Sequence, residues 1–204
     1  WSRLVGSEMC IRDRYYPSPT INSNPNVQKN TNYNQFDLLQ KFVYKPSNNY
    51  KLLLNFQLSR SSNIARFDKL NQLNDNKLKY ARWEYGPQKR VLVSPQLLFF
   101  SEKDWIKSGK IILSLQTFSE SRIHRKFNEL TRKTQKEEVQ VYSLNGDFRG
   151  NIFKKDDLSY GVEVTHNSVE SNAFSQEIEI SENKITSLSV KTPITTRYPS
   201  DGSQ

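Results

Sequence analysis

The chain has 204 residues, a hydrophobic fraction of 35%, a mean hydropathy of −0.77 and a formal net charge of +9. This composition excludes a helical membrane protein, because no segment approaches the roughly 18 apolar residues of a spanning helix. It leaves a membrane β-barrel open, since barrel strands place only every second residue on lipid.

The first 14 residues are predicted to be foreign to the natural protein. The segment "VGSEMCIRDR" (Val5–Arg14) resembles the translation of sequencing-adapter read-through, and no apolar core of a signal peptide precedes it. A genuine disordered N-terminus is the alternative. We therefore expect residues 15–204 to be one partial domain without its native beginning.

Two alternating segments follow an asparagine-rich stretch, residues 22–34, whose composition predicts exposed loop. The segments "QFDLLQKFVYK" (35–45) and "YKLLLNFQLS" (50–59) place apolar side chains at every second position, with Gln40 the single exception in the first, which predicts two strands. The turn residues "PSNN" between them predict a hairpin. The apolar side of the second strand comprises Leu52, Leu54, Phe56 and Leu58.

Four more strands are predicted, at residues 91–100, 110–118, 139–148 and 158–166. Pro95 weakens the first of these predictions, because proline cannot donate a ladder hydrogen bond. Long polar segments at residues 60–90 and 119–138 are predicted to be loops, and polar sequence follows the sixth strand. The apolar sides of the last three strands include Leu113, Leu115, Tyr142, Leu144, Val162 and Val164.

The connections alternate between short and long, which is typical of a membrane barrel with short periplasmic turns and long extracellular loops. Aromatic residues gather near the short connections, as at a membrane interface. The sequence therefore predicts an all-β fold, an antiparallel up-and-down transmembrane β-barrel fragment of about six strands with its apolar side chains on lipid. A secreted or cell-surface soluble all-β module that binds carbohydrate or protein is the alternative, since a sandwich also alternates.

The residues after position 14 resemble the barrel of TonB-dependent outer-membrane receptors of Bacteroidetes type, in the subgroup labelled haemoglobin/transferrin/lactoferrin receptor-like. The motifs that carry the resemblance are "NPNVQKNTNYNQFDLLQKF", "LNFQLSRSSNIARFDKL", "ARWEYGPQKRVLVSPQL", "ESRIHRKFNEL", "EEVQVYSLNGDF" and "YGVEVTHNSVESNAF". In this family the "WxYGPQ.R" stretch closes a long extracellular loop and leads into the next strand.

The resemblance implies energised uptake across the outer membrane of a Gram-negative bacterium. The expected ligand is an iron chelate, haem or an iron-carrying protein, and the expected partners are outer-membrane lipid, lipopolysaccharide and the TonB–ExbB–ExbD complex, which would act through an N-terminal plug that this sequence lacks. The chain also lacks the "FRAP" and "NPNL"-like motifs that carry a haem-ligating histidine in better-defined haem receptors.

Basic and aromatic residues interleave in the first long polar segment. Cations attract an anionic ligand and aromatic rings supply contact area, so this pattern predicts ligand contacts. The candidates are Arg82, Trp83, Tyr85, Lys89 and Arg90. The alternative is a solvated loop whose aromatics pack within it. His124 is a weaker candidate for an iron ligand, and His166 weaker still, because isolated histidines are commonly plain surface residues.

Other functional classes lack support in the sequence. The basic residues are spread among acidic residues and asparagines rather than gathered into a stripe, so we expect no nucleic-acid partner. A nucleophile elbow, a P-loop and an HExxH motif are absent, so we expect no catalytic residues and no enzyme. The single cysteine, Cys10, excludes a cysteine cluster, and we expect neither a metal site nor a cofactor.

Overall fold

The computed structural model describes residues 24, 26–28, 31–151, 153, 156–181, 184–199 and 202–203, so the segment 1–14 lies outside the described residues. Within these described residues, no helix is long and apolar enough to cross a membrane. The elements in chain order are β1 (Gln35–Ser47), β2 (Tyr50–Ser61), β3 (Ile64–Ala65), α1 (Phe67–Leu70), β4 (Leu73–Asn74), β5 (Lys77–Leu78), β6 (Tyr80–Tyr85), β7 (Lys89–Phe100), β8 (Ser108–Lys126), β9 (Thr131–Gly150), β10 (Leu158–Ser181), β11 (Lys184–Leu188), β12 (Thr192–Pro193) and β13 (Gly202–Ser203).

One antiparallel sheet contains all the long strands, in the order β1-β2-β7-β8-β9-β10-β11, and it curls into a half-barrel. Each long strand pairs with the next long strand along the chain, which is the up-and-down connectivity expected from short hairpin turns. The predicted all-β antiparallel fold is confirmed.

The register aligns the alternation of neighbouring strands. Leu54 lies opposite Phe42 and Pro95, and farther along the sheet Leu144 lies opposite Leu113 and Val164. Residues directly opposite in an antiparallel pair share a face of the sheet. We call the face that carries these side chains the apolar face. The other, the polar face, carries Asn55, Gln57, Ser59, Ser114, Gln116, Ser143, Asn145, Asp147 and Glu163.

Pro95 is accommodated inside the sheet, on β7. It keeps its pairing with Leu54 on β2, whereas the pairing of β7 with β8 stops at Val93 and resumes at Gln96. Because proline has no N–H, a ladder hydrogen bond is lost on one side only, and the strand continues.

The second long polar segment is strand rather than loop, contrary to the sequence prediction. β8 runs on to Lys126, β9 begins at Thr131, and residues 127–130 make the turn, with Asn128 in the left-handed region at φ 65°. Both faces of this extension carry polar side chains, so the period-2 signal disappears although the backbone pairing persists. The C-terminal segment also departs from the prediction, because β11, β12 and β13 pair with β10 as a broken seventh strand.

The first long polar segment folds into β3 to β6 and α1, beside the extension of β8. Its β6 pairs with β8 over Tyr80–Tyr85, and its β3 pairs with β6. Leu78, Ala81 and Phe127 form a small buried core between this segment and the β8–β9 turn. The apolar core of the described chain therefore lies at the extended end of the sheet, away from the short turns.

Candidate ligand-contact site

A one-residue bulge between β6 and β7 decides which side chains can meet a ligand. Lys89 lies opposite Ser119 and Tyr85 lies opposite Arg122. Lys89 lies four residues after Tyr85, but their partners on β8, Ser119 and Arg122, are only three residues apart. The segment between β6 and β7 therefore carries one extra residue, which is a β-bulge. One extra residue moves every following side chain to the other face. The bulge therefore places Trp83 and Tyr85 on the polar face.

Gly86 makes the close approach at this bulge possible. It is buried, and its N–H donates to the carbonyl oxygen of Ser121 at 2.7 Å. A Cβ at this position would collide with the Ser121 side chain. The "YGPQ" stretch thus leads from the loop into β7.

The Arg66 guanidinium contacts the rings of both Trp83 and Tyr85. Its guanidinium lies 5.1 Å from the centre of the Trp83 ring and 5.4 Å from that of Tyr85, and it donates to the Tyr85 hydroxyl at 2.7 Å. Asp68 accepts two further hydrogen bonds from it, at 2.7 and 2.6 Å. These hydrogen bonds, chiefly that to Asp68, raise the pKa of Arg66, so it remains a cation. Arg66 therefore fastens the loop to β6.

His124 and Arg122 complete the group on the same face. The His124 ring stacks on Trp83 with centroids 6.5 Å apart and planes 23° apart, and the Arg122 guanidinium lies 5.8 Å from the Tyr85 ring centre. Burial, followed by the charge of Lys133, lowers the pKa of His124, so its imidazole is neutral at pH 7. A neutral imidazole retains a lone pair for a metal-containing ligand. We call Arg66, Trp83, Tyr85, Arg122 and His124 the cation–aromatic cluster.

The five loop candidates do not share one face. Arg90 lies on the polar face, where its guanidinium donates to the Gln116 side chain at 3.0 Å. Arg82 is buried on the opposite side of β6 in an ion pair with Glu84. Lys89 is exposed on the apolar-face side, opposite Ser119. The structure thus brings Trp83 and Tyr85 together with His124 and separates Arg82 and Lys89 from them.

Sequence reasoning missed Arg66 and Arg122. A usable signal existed for Arg122, which stands two residues before His124 and therefore shares its face in any strand. Arg66 lies 17 residues before Trp83, and nothing in the local pattern indicates that β3 returns to pair with β6.

The apolar face is largely exposed on β1, β8, β9 and β10 and half-buried on β7. Leu113, Leu115, Val162 and Val164 expose 47%, 48%, 55% and 59% of their surface. Leu52, Leu54, Tyr142 and Leu144 are also exposed, while Phe56 and Leu58 are half-buried. Most of the polar face on β2, β8 and β9 is half-buried.

Aromatic rings border the apolar face at its short-turn end. Phe148 lies 6.3 Å from Phe99 and 5.5 Å from Tyr160, centre to centre, and the Tyr160 hydroxyl donates to the Trp105 carbonyl oxygen at 3.1 Å. The exposed rings at this end include Tyr44, Tyr50, Phe100, Trp105, Phe153 and Tyr160. Polar tips and apolar bodies combine here, as in the interfacial girdle of a membrane barrel.

Charged side chains border the apolar face at its other end. The pairings place Arg60, Lys89, Ser119, Glu138 and Glu170 in one row across β2, β7, β8, β9 and β10, with Phe36 on β1 opposite Arg60. On β2 and β7 this row follows Leu58 and Val91 directly, whereas on β8, β9 and β10 the polar residues Thr117, Gln140 and Ser168 lie next to it on the same face. The stacked rings of His166 and Tyr142, 6.4 Å apart, lie four residues from Glu170 and Glu138 on the same two strands. The apolar face is therefore a band that reaches the charged row on β2 and β7 and ends before it on β8, β9 and β10.

Comparisons with known proteins found no significant match. No protein-family model matches the chain, and no curated protein or solved structure is significantly similar to it. Within the described part of the chain, no group of three or more histidine, cysteine or acidic side chains could hold a metal ion.

Proposed function

We propose that this chain is part of the wall of an outer-membrane β-barrel, in a TonB-dependent receptor that imports a scarce iron-containing ligand. The observation that carries the proposal is the exposed apolar band between an aromatic rim and a charged row. From Tyr50 to Leu58 on β2 the band covers eight steps of about 3.4 Å, or roughly 27 Å along the strand. Tilted strands of this length suit a hydrocarbon layer.

The exposure of the band supports a lipid environment over an aqueous one. A soluble sandwich buries its apolar face against a second sheet. Among the described residues no second layer covers Leu113, Leu144 or Val162. The pattern of one half-buried polar face and one exposed apolar face is the reverse of a soluble domain and is what a wall between lipid and a wet lumen requires.

The receptor role draws on the cation–aromatic cluster and on the family resemblance. In a closed barrel the polar face lines the lumen, so the cluster would stand at the extracellular mouth above Arg90. Cations with aromatic rings suit an anionic iron chelate, haem propionates or an acidic protein surface. The half-barrel would close with other strands, because the free edge of β1 cannot face hydrocarbon.

Paired cysteine probes test the wall proposal. Leu113→Cys and Ser114→Cys, each placed in a cysteine-free background of the complete barrel, are neighbouring positions on opposite faces of β8. We expect a membrane-confined maleimide to label position 113 and a water-soluble, impermeant maleimide to label position 114 through the lumen. Labelling of both positions by the aqueous reagent alone would favour the soluble binding module.

Ligand contact needs a separate measurement. We expect a ferric chelate of net negative charge to quench tryptophan fluorescence through Trp83. Arg122→Gln should weaken binding about three- to tenfold, the effect of losing a charge-assisted contact. Lys77→Gln, an exposed loop change of the same charge, is the matched control. If the chelate quenched the fluorescence of both variants equally, the cation–aromatic cluster would not be part of the ligand-binding site.

A further inference from the structure

A buried carboxylate, that of Glu137, lies beside the cation–aromatic cluster. Glu137 is on the polar face of β9 with 4% of its surface exposed, directly opposite Glu120 on β8 and Ser171 on β10. Within the described part of the chain, neither of its carboxylate oxygens has a hydrogen-bond partner, and the buried Ser171 hydroxyl has none either. A buried carboxylate without partners is costly as long as it is ionised.

Arg122, a member of the cluster, lies close to two acidic side chains. Its guanidinium is 3.5 Å from the Glu120 carboxylate, nitrogen to oxygen. It is also a diagonal neighbour of Glu137, because Glu137 pairs with Glu120 and Arg122 follows two residues later on the same face of β8. Diagonal neighbours on one face of a sheet are within reach of long side chains. Arg122 can therefore interact with both carboxylates.

The same guanidinium is needed by an anionic ligand. It lies 5.8 Å from the centre of the Tyr85 ring, inside the cluster. Its buried Nε has no hydrogen-bond partner among the described residues, so a donor remains for a further anion. A ligand anion in the cluster and an ionised Glu137 therefore compete for Arg122.

Among the described residues, the charges that act on Glu137 come from two parts of the chain. β8 contributes Glu120 and Arg122, and the C-terminal segment contributes Arg197, whereas β10 faces Glu137 with the uncharged Ser171. Burial, with a smaller contribution from Glu120, raises the pKa of Glu137, and the two arginines oppose this rise. Two guanidinium groups disfavour a metal ion at the Glu137 oxygens, so a proton is the cation that fits there.

We propose that a proton on Glu137 controls anion binding at Arg122, which makes Glu137 a positioning residue for the ligand site. When Glu137 is protonated, the Arg122 guanidinium faces only the Glu120 carboxylate, and a ligand anion meets no excess negative charge. When Glu137 is ionised, one guanidinium faces two carboxylates, which hold it and repel the ligand. This inference rests on the proposed role of the cluster in binding an anionic ligand.

Binding of a polysulfonated pyrene to the complete barrel in maltoside micelles tests the proposal. The charge of this aromatic anion does not change with pH over the range used, and its fluorescence anisotropy gives the Kd. All measurements use a His124→Gln background, because an imidazole also gains a positive charge in acid. Between about pH 4.3 and about pH 8 we expect the Kd to rise about three- to tenfold, the effect of one new negative charge near the ligand.

Three substitutions separate Glu137 from its surroundings. Glu137→Gln resembles the protonated glutamate and should bind the probe at every pH with the affinity that its parent shows in acid. Glu137→Asp keeps a carboxyl group and should keep a dependence on pH. Glu138→Gln is the matched control, since it removes the same charge one residue away on the opposite face of β9, and it should keep the full dependence.

Proton uptake gives a second measurement without any change at Glu137. A proton and an anionic ligand that favour the same state must each strengthen binding of the other. Binding of the probe should therefore take up a fraction of a proton, which calorimetry in buffers of different ionisation enthalpy detects.

A Kd independent of pH, an equal pH dependence in Glu137→Gln and its parent, or binding without proton uptake would overturn the proposal. Failure of the probe to bind at any pH would overturn it together with the binding role of the cluster. A pH-dependent Kd for the probe without any binding of a ferric chelate refutes the iron ligand alone. Binding of both anions with no change over the pH range refutes control by Glu137 alone.

Discussion

Replacing Leu54 by arginine tests the orientation of the sheet most directly. Leu54 lies midway between Tyr50 and Leu58 on the apolar face, about 14 Å along the strand from either end of the band. An arginine there cannot easily bring its charge to water, and the cost at the middle of a bilayer is about 2–4 kcal/mol. The folding equilibrium of the complete receptor should therefore fall by a factor of about 30 to 1,000.

Gln57→Arg is the matched control, three residues along the same strand. Gln57 lies on the polar face, opposite Leu39 and Leu92, where a wet lumen accepts the new charge. We expect this variant to change stability by less than about 0.5 kcal/mol. Reversible urea unfolding of both variants in lipid vesicles gives the two free energies. Equal losses, or a greater loss for Gln57→Arg, would show that the apolar face does not meet lipid.

Three further predictions concern the rim, the extension and the loop. Gly150→Ala should lower the free energy of unfolding, measured by chemical denaturation, by about 1–3 kcal/mol, because the new methyl group would overlap the Trp105 backbone. In Gly109→Ala the methyl group would meet only the edges of phenylalanine rings, which can rotate, so this variant should lose less stability. Burial raises the pKa of Glu137, so its ionisation favours the unfolded chain and the free energy of unfolding should fall as pH rises above about 4.3. Glu137→Gln should flatten this dependence of the unfolding free energy on pH. The same dependence in the variant and the wild type would show that Glu137 does not cause it. Arg66→Gln should lower the free energy of unfolding by about 1 kcal/mol and speed limited proteolysis of the loop after β2. A proteolysis rate equal to that of the wild type would show that Arg66 does not hold the loop against β6.

The physical reason for the Glu137 prediction lies in its neighbours. Glu137 is buried on the polar face of the strand extension, directly opposite Glu120 and Ser171. Desolvation and Glu120 raise its pKa, and the opposing charges of Arg122 and Arg197 offset only part of that rise. A group whose pKa is higher in the folded than in the unfolded state stabilises the fold only while it is protonated.

The alternation of apolar and polar residues with period 2 predicted the six long strands, because each strand has one apolar and one polar face. Segments 35–45, 50–59, 91–100, 110–118, 139–148 and 158–166 all lie within observed strands, and the short connections between them are turns or brief loops. The same alternation could not reveal the extensions of β8 and β9, since both of their faces carry polar side chains and pairing leaves no trace in hydropathy. The extension of β10 does alternate at Phe174, Ile178 and Ile180, and the prediction missed it because the rest of that segment is polar. Pro95 misled for a different reason, because one missing ladder bond is tolerated when the other edge stays paired.

The order of residues along the chain determined the two faces of the sheet, because side chains in a strand alternate without exception unless a residue is inserted. The tertiary structure alone decided the composition of the candidate site. The extra residue between Tyr85 and Lys89 reverses the alternation, and the return of β3 to β6 brings Arg66 onto Trp83. Bulges and long-range pairings depend on contacts between segments distant in sequence, so no local pattern contains them.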